Sequence, residues 1–187
     1  MLKNARTPIL GIAAFSGTGK TTLLLKLLPM LRDKGLRIAM VKHAHHSLEI
    51  DRKGKDSFEL RAAGASRMLI ASRHRWALMM ETPGQHEPHL DSLLGHLPQH
   101  DLDLLLVEGF KQELFPKIEI HRPSLGHPLL FPNDPHIIAI ATDDPIHIET
   151  TLPILDLNDA TQIFDFVLDW LSLQGDRPHS PYLPGTA

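Results

Sequence analysis

The chain alternates short, unbroken apolar runs with stripes of apolar residues at helical spacing. Pro8-Ile9-Leu10-Gly11-Ile12-Ala13-Ala14-Phe15 is apolar throughout and ends in a glycine-rich turn. Such a run predicts a strand covered on both faces. Leu23, Leu24, Leu27, Leu28 and Leu31 then recur at the spacing of one helix face and predict a helix over residues 20–33. Pro29 lies inside that helix, where the missing N–H and the ring clash cost about 3 kcal/mol, so a kink or an early end is expected. Lys34-Gly35 closes the element, and residues 36–41 form a second strand. Strand, helix and strand in so short a span predict two parallel strands joined by a right-handed crossover.

Residues 42–55 are polar and basic and read as a loop. Asp56-Ser57-Phe58-Glu59 matches a helix start, with a carboxylate cap and a glutamate three positions on, and the helix should end at Gly64. Residues 67–71 and 75–81 suit two further strands, Leu90, Leu93, Leu94 and Leu97 an amphipathic helix, and residues 102–107 a buried central strand. Lys117-Ile118-Glu119-Ile120-His121-Arg122 alternates strictly, which predicts a half-exposed strand. Residues 137–141 and 153–157 are later strands, and a last helix starts near Asn158 with Ala160, Ile163, Phe164, Val167, Leu168 and Leu171 on one side. The sum is an α/β fold with a mostly parallel central sheet flanked by helices, a single domain over residues 1–174, and a flexible tail over 175–187.

Length and composition agree with this picture. The 187 residues, 42% hydrophobic and 22% charged, suit one folded domain and argue against disorder. With no cysteine there can be no disulfide, thiolate metal site or cysteine nucleophile. No apolar run is long enough for a membrane span. The basic start, Met1 to Arg6, leads into an apolar run without a small-residue cleavage site, so a signal peptide is not expected and a cytoplasmic location is. Charge is unevenly placed. Residues 1–75 hold 15 Lys+Arg against 5 Asp+Glu, and residues 76–187 hold 4 against 17. The first half could focus an anionic ligand. Nucleic acid is a poor partner for an acidic chain with 5% aromatic residues.

The sharpest chemical signal is Ser16-Gly17-Thr18-Gly19-Lys20-Thr21-Thr22, between the first strand and the first helix. It ends as phosphate-binding loops end, in glycine, lysine and threonine. Glycines let the backbone curl so that successive N–H groups face one anion, and the helix adds its own free N–H groups. Lys20 would meet the β- and γ-phosphates, and the Thr21 hydroxyl would bind Mg²⁺. Ala14 stands where the full pattern has its first glycine. The motif places the chain in the P-loop NTPase sandwich class.

Three other segments carry candidate chemistry. Glu108 ends the central strand, where phosphate-loop enzymes place a carboxylate that orients Mg²⁺ or its water, and Gly109 leaves space beside it. Lys42, His43, Arg52 and Lys55 follow the second strand, whose carboxyl end borders the ligand crevice of an open α/β sheet, and are candidates for phosphate, cofactor or partner contact. In the same stretch Asp51 is a candidate water-orienting residue, while His43, His45 and His46 could ligate a metal. Thirteen histidines, mostly scattered over the chain, favour chance clustering over a metal site. Asp143 follows a strand and could accept hydrogen bonds from guanine N1–H and N2–H₂, or simply cap a turn before Pro145. No serine–histidine–acid set, no glycosidase-type carboxylate pair and no cis arginine finger is legible.

Taken together, the phosphate loop, the Val41-Lys42-His43 stretch, residues 50–57, Arg61-Ala62-Ala63-Gly64-Ala65 and Val107-Glu108-Gly109-Phe110-Lys111 resemble the molybdopterin-guanine dinucleotide biosynthesis protein B (MobB) family over residues 8–172. The resemblance implies a GTP-binding adapter with weak GTPase activity that assists the guanylyltransferase joining GMP to molybdopterin. GTP and Mg²⁺ would be its ligands, with molybdopterin or the molybdenum cofactor as a further contact. It also implies a homodimer in which strands such as 117–122 cross to the partner. Two other classes stay open: a metal-insertion GTPase of the nickel-chaperone type, using the histidines, and a small-molecule kinase, using Arg52, Arg61 and Arg67.

Overall fold

A computed structural model of the chain describes residues 2–44, 50–82, 84, 87–147 and 149–175. The chain divides into two compact units, one of residues 1–43 and 89–187 and one of residues 44–88.

The larger unit is a six-stranded parallel sheet. Its strands are β1 (Ile9–Ala13), β2 (Ile38–Lys42), β5 (Leu104–Glu108), β6 (Lys117–His121), β7 (Ile137–Thr142) and β8 (Ile154–Asp156), in the order β2-β5-β1-β6-β7-β8. Every adjacent pair is parallel. Helices α1 (Lys20–Asp33) and α4 (Ala160–Ser172) cover one face, and α3 (Leu90–Leu94) belongs to the apolar cluster on the other. The unbroken apolar runs follow from this layering. In β5, Leu104 and Leu106 pack with α1 and α4, while Leu105 and Val107 join the second cluster with Leu90, Leu94, Phe110 and Phe115. Each such fully buried side chain contributes about 1.5–3 kcal/mol. Gly11 is required in β1 because a Cβ there would come within 2.6 Å of the Phe115 ring.

Three expectations are corrected here. First, α1 runs through Pro29 to Asp33 without ending early. Pro29 lies on the exposed side, and so does Leu25, whose carbonyl loses its partner but faces water. Second, β6 is not half exposed. All five of its residues are buried between β1 and β7. Its alternating charges are satisfied internally: Lys117 pairs with Asp134 at 2.8 Å, and Glu119 accepts the N–H groups of Leu130 at 2.7 Å and Phe131 at 2.9 Å. Third, α3 stops at Leu94, with Gly95 as its cap, short of Leu97. At the start of α4, by contrast, Asp159 caps the helix by accepting from the N–H groups of Thr161 and Gln162.

The smaller unit holds α2 (Asp56–Ala62) and an antiparallel pair, β3 (Arg67–Ala71) and β4 (Trp76–Met80). Asp56 opens α2 but does not cap it. Lys55 holds the cap position, and the Glu59 carboxylate instead accepts the Gly54 N–H at 3.1 Å. The expected tail lies mostly outside the described residues, from 176 onward.

Candidate functional site

Parallel pairing sets Ile12 of β1 opposite Glu108 of β5, and Lys42 of β2 opposite the same Glu108. The exits of three neighbouring strands therefore share one edge of the sheet, which is where open α/β sheets bind ligands. The phosphate loop, residues 14–19, leaves β1 at this edge.

Gly17 and Gly19 have φ of 80° and 97°, left-handed values that a side chain would strain. The turn is braced from within by the Thr18 hydroxyl, which donates to the Phe15 carbonyl at 2.9 Å. Ala14, at the position of the missing glycine, is buried and shows no positive φ, so the loop curls without a glycine there. The Lys20 ammonium donates to the Phe15 carbonyl at 2.8 Å and lies 3.4 Å from that of Ala14. Burial pushes the Lys20 pKa below its ordinary value; Glu108 counters this, and the Lys111 and Lys42 charges reinforce it. Ser16, Thr21 and Thr22 are exposed at the loop and the first turn of α1.

Glu108 is nearly buried, with 12% of its side chain exposed, and it pairs with Lys42 at 3.2 Å. The next residue is held by contact. Gly109 has φ of 94°, and a Cβ there would sit 2.6 Å from the His43 Cβ. His43 stacks on Phe110 with centroids 4.7 Å apart. Lys42, His43, Glu108 and Lys20 are thus brought to one edge. Thr21 and Glu108 supply one hydroxyl and one carboxylate, hard oxygen donors that suit a Mg²⁺ keeping most of its waters.

Asp143 follows β7 and pairs with Arg122, which follows β6. The Arg122 Nε donates to the Thr18 carbonyl of the phosphate loop at 2.9 Å, and its guanidinium lies against Gly19. Arg122 thus ties the loop to Asp143, a link no motif announces, since the sequence offers only an arginine after a strand. Among the described residues the second carboxylate oxygen of Asp143 is buried without a hydrogen-bond partner. His121 beside this pair has its pKa lowered, by burial first, with Asp143 opposing.

Asp51, Arg52 and Lys55 belong to the smaller unit. There Arg61 grips both oxygens of Asp51, at 2.5 and 3.2 Å, and also binds Glu81. The Arg61 hydrogen bond is the main reason the Asp51 carboxyl sits below its usual pKa, the opposite direction from a proton acceptor tuned to neutral pH. Arg52 and Lys55 are exposed. His45 and His46 lie outside the described residues. Among the described residues no group of three potential metal-ligating side chains occurs.

Residues 9–143 match the family model described as MobB, molybdopterin guanine dinucleotide synthesis protein B. The chain is 48% identical over 168 residues to a molybdopterin-guanine dinucleotide biosynthesis adapter protein of Escherichia coli (strain K12), covering 89% of this chain and 95% of that protein. It is 45% identical over 169 residues to a protein of the same description from Haemophilus influenzae, covering 90% and 92%. Among solved structures, MobB of Bacillus subtilis superposes with a TM-score of 0.68 at 27% identity, over 87% of this chain and 96% of that one. A MobB homologue from Bacillus stearothermophilus, at 24% identity and a TM-score of 0.65 over 88% and 98%, shares the fold.

Proposed function

Since the chain belongs to the MobB family, we propose that it acts as a GTP-binding adapter in molybdopterin guanine dinucleotide biosynthesis, assisting the guanylyltransferase that attaches GMP to molybdopterin. The observation that carries the nucleotide part is the loop itself: two left-handed glycines, Lys20 folded onto the loop carbonyls, and the Glu108 carboxylate at the neighbouring strand exit. Ser16, Gly17, Thr18, Gly19 and Lys20 would wrap the phosphates, with Thr21 and Thr22 following in the first turn of α1. Mg²⁺ would be held by Thr21 and, through water, by Glu108. The bound metal would neutralise charge between the phosphates. Glu108 would have to exchange its Lys42 contact for the metal's water, which leaves Lys42 for phosphate or partner contact.

Guanine recognition is assigned to Asp143. Its place supports this: Asp143 reaches the phosphate loop through Arg122, and its second oxygen, without a partner among the described residues, would accept a base N–H once uncovered. Hydrolysis is proposed to be slow. Asp51 serves in this reading as the ion-pair partner of Arg61 and not as the water-orienting group, and Arg122 is already neutralised. We treat residues 1–174 as one nucleotide-binding domain carrying 44–88 as an insertion. His43, Arg52 and Lys55 are kept as contacts for the pterin cofactor or the partner enzyme. A cytoplasmic setting follows from the biosynthetic role; among the described residues no helix is long and apolar enough to cross a membrane.

A homodimer is retained, with a different surface. Both edges of β6 are paired within the chain, which favours another surface for the contact. In the smaller unit, Leu69 opposes Leu78, and Trp76 and Met80 lie on the same face, all exposed. That apolar face suits a second copy. The experiment for the function is reconstitution: a guanylyltransferase, molybdopterin and Mg²⁺-GTP, with and without this protein. The account predicts more dinucleotide with it, and less again with Lys20→Ala. Equal yields in all three would refute the adapter role.

A further inference from the structure

Two cations besides Lys20 and Lys42 flank the phosphate loop, and they differ in one respect. Arg122 is neutralised by Asp143. Lys42 and Lys117, in the same unit, are neutralised by Glu108 and Asp134. Lys111 has no carboxylate partner among the described residues. Its ammonium instead lies 4.6 Å from the centre of the Phe15 ring, and Phe15 is a loop residue that also stacks on His127. The Lys20 ammonium donates to the Phe15 carbonyl while that of Lys111 lies over the Phe15 ring, so the two cations meet on one loop residue. Two like charges over one loop, with no counter-charge for one of them, repel each other until an anion enters. Lys111 is exposed, hence within reach of a ligand.

The backbone that delivers Lys111 is held in an unfavourable shape. After Glu108 the chain turns through Gly109 at φ 94° and Phe110 at φ 50°, and Phe110 is the one non-glycine residue with positive φ among those described. Burial of the Phe110 ring and its stacking on His43 hold that conformation. The turn brings residue 111 back over Phe15 instead of letting the chain continue away from β5. Strain of this kind persists where the surrounding structure over-determines it, and it clusters at ligand clamps.

Resting on the nucleotide-binding reading above, we propose that Lys111 is a second phosphate-contacting lysine, which binds the terminal phosphate of the nucleoside triphosphate from its platform on Phe15. The terminal phosphate is the one assigned because the exit of the carboxylate-bearing strand faces the metal and the terminal phosphoryl group in phosphate-loop proteins, and Lys111 comes three residues after Glu108. Lys20 and the loop serve the inner phosphates as well, so the two lysines separate by ligand.

The test is calorimetric titration of the full chain with Mg²⁺-GTP and Mg²⁺-GDP, for wild type, Lys20→Ala, Lys111→Ala and Lys111→Arg, with melting temperatures recorded for each. The proposal expects Lys111→Ala to lose about tenfold in GTP affinity, the size of one charge-assisted contact, and less than about threefold for GDP. Lys111→Arg should recover most of the loss, and the melting temperature should hold. Lys20→Ala should lose both ligands. Unchanged GTP affinity in Lys111→Ala, or equal losses for GTP and GDP, would overturn the proposal while leaving the nucleotide reading standing. A wild-type chain that binds neither ligand would overturn both.

Discussion

In the larger unit the central strand is wholly inside: Leu104 to Val107 of β5 have no exposed surface, and Glu108 and Lys42 stand where their strands end. In the unit of residues 44–88 the arrangement is reversed. Leu69, Trp76, Leu78 and Met80 are exposed, while the charged residues Asp51, Arg61 and Glu81 are locked together. The lesson is about where binding capacity is stored. At the sheet edge it lies in polar groups left unpaired among the described residues, namely the Lys111 ammonium, without a carboxylate, and the second oxygen of Asp143. In the smaller unit Asp51, Arg61 and Glu81 satisfy one another, while the apolar face of the hairpin is left uncovered. The first suits a small anion, the second another protein surface.

The sharpest way to break this contrast is Lys20→Ala. Losing an ammonium shared between two phosphates should cost about 3 kcal/mol, or a hundredfold or more in nucleotide affinity by calorimetry. The same nucleotide titration on Asp51→Asn, in the other unit, should read as wild type. A large loss there would return Asp51 to the site.

The next effect compares two glycines with similar backbone angles. Gly54→Ala in the smaller unit meets only the left-handed penalty, about 1–2 kcal/mol, because no described residue lies within 4 Å of its would-be Cβ. Gly109→Ala adds the His43 contact at 2.6 Å, an overpacking cost of about 1–3 kcal/mol more. Urea denaturation of both variants checks the difference. Equal costs would mean that the exit of β5 is looser than described.

Much of the fold was legible because its signals are local. The β1–loop–α1 segment announces itself through an apolar run, two glycines and a leucine stripe, and each residue stands where the pattern puts it. What stayed illegible depends on distant partners. Strand β6 read as half exposed because Lys117 and Glu119 look like solvent-facing residues; only Asp134 and the N–H groups of residues 130 and 131 make them interior. Arg122 escaped notice for the same reason, since its partners Thr18 and Asp143 are 104 and 21 positions away. Asp51 looked available because Arg61 is ten positions on in sequence.

The pH dependence of stability separates two carboxylates, one in each unit, by sign. Burial raises the folded pKa of Glu119 above its ordinary 4.5. Between that value and the raised one the folded state holds more protons, so stability should fall as pH rises through the window. The Glu119→Gln variant should lose this slope. Asp51 is lowered below 3.8 by Arg61. The stability it adds is present above 3.8 and lost as pH falls through its folded value, and Asp51→Asn should flatten that acid limb. Urea midpoints across pH test both. Slopes of the same sign would contradict the assigned environments.

The smallest effect expected on nucleotide binding is from the exposed face of the hairpin. Leu69→Glu with Leu78→Glu should convert a dimer to monomers in sedimentation analysis while GTP affinity changes less than about twofold, since the substituted side chains lie on an exposed surface. An unaltered dimer would move the interface elsewhere.

One titration bears most directly on the whole account: the wild-type chain with Mg²⁺-GTP in a calorimeter. The account predicts saturable heat at one nucleotide per chain. Heat that never saturates, with GTP or with ATP, would contradict it.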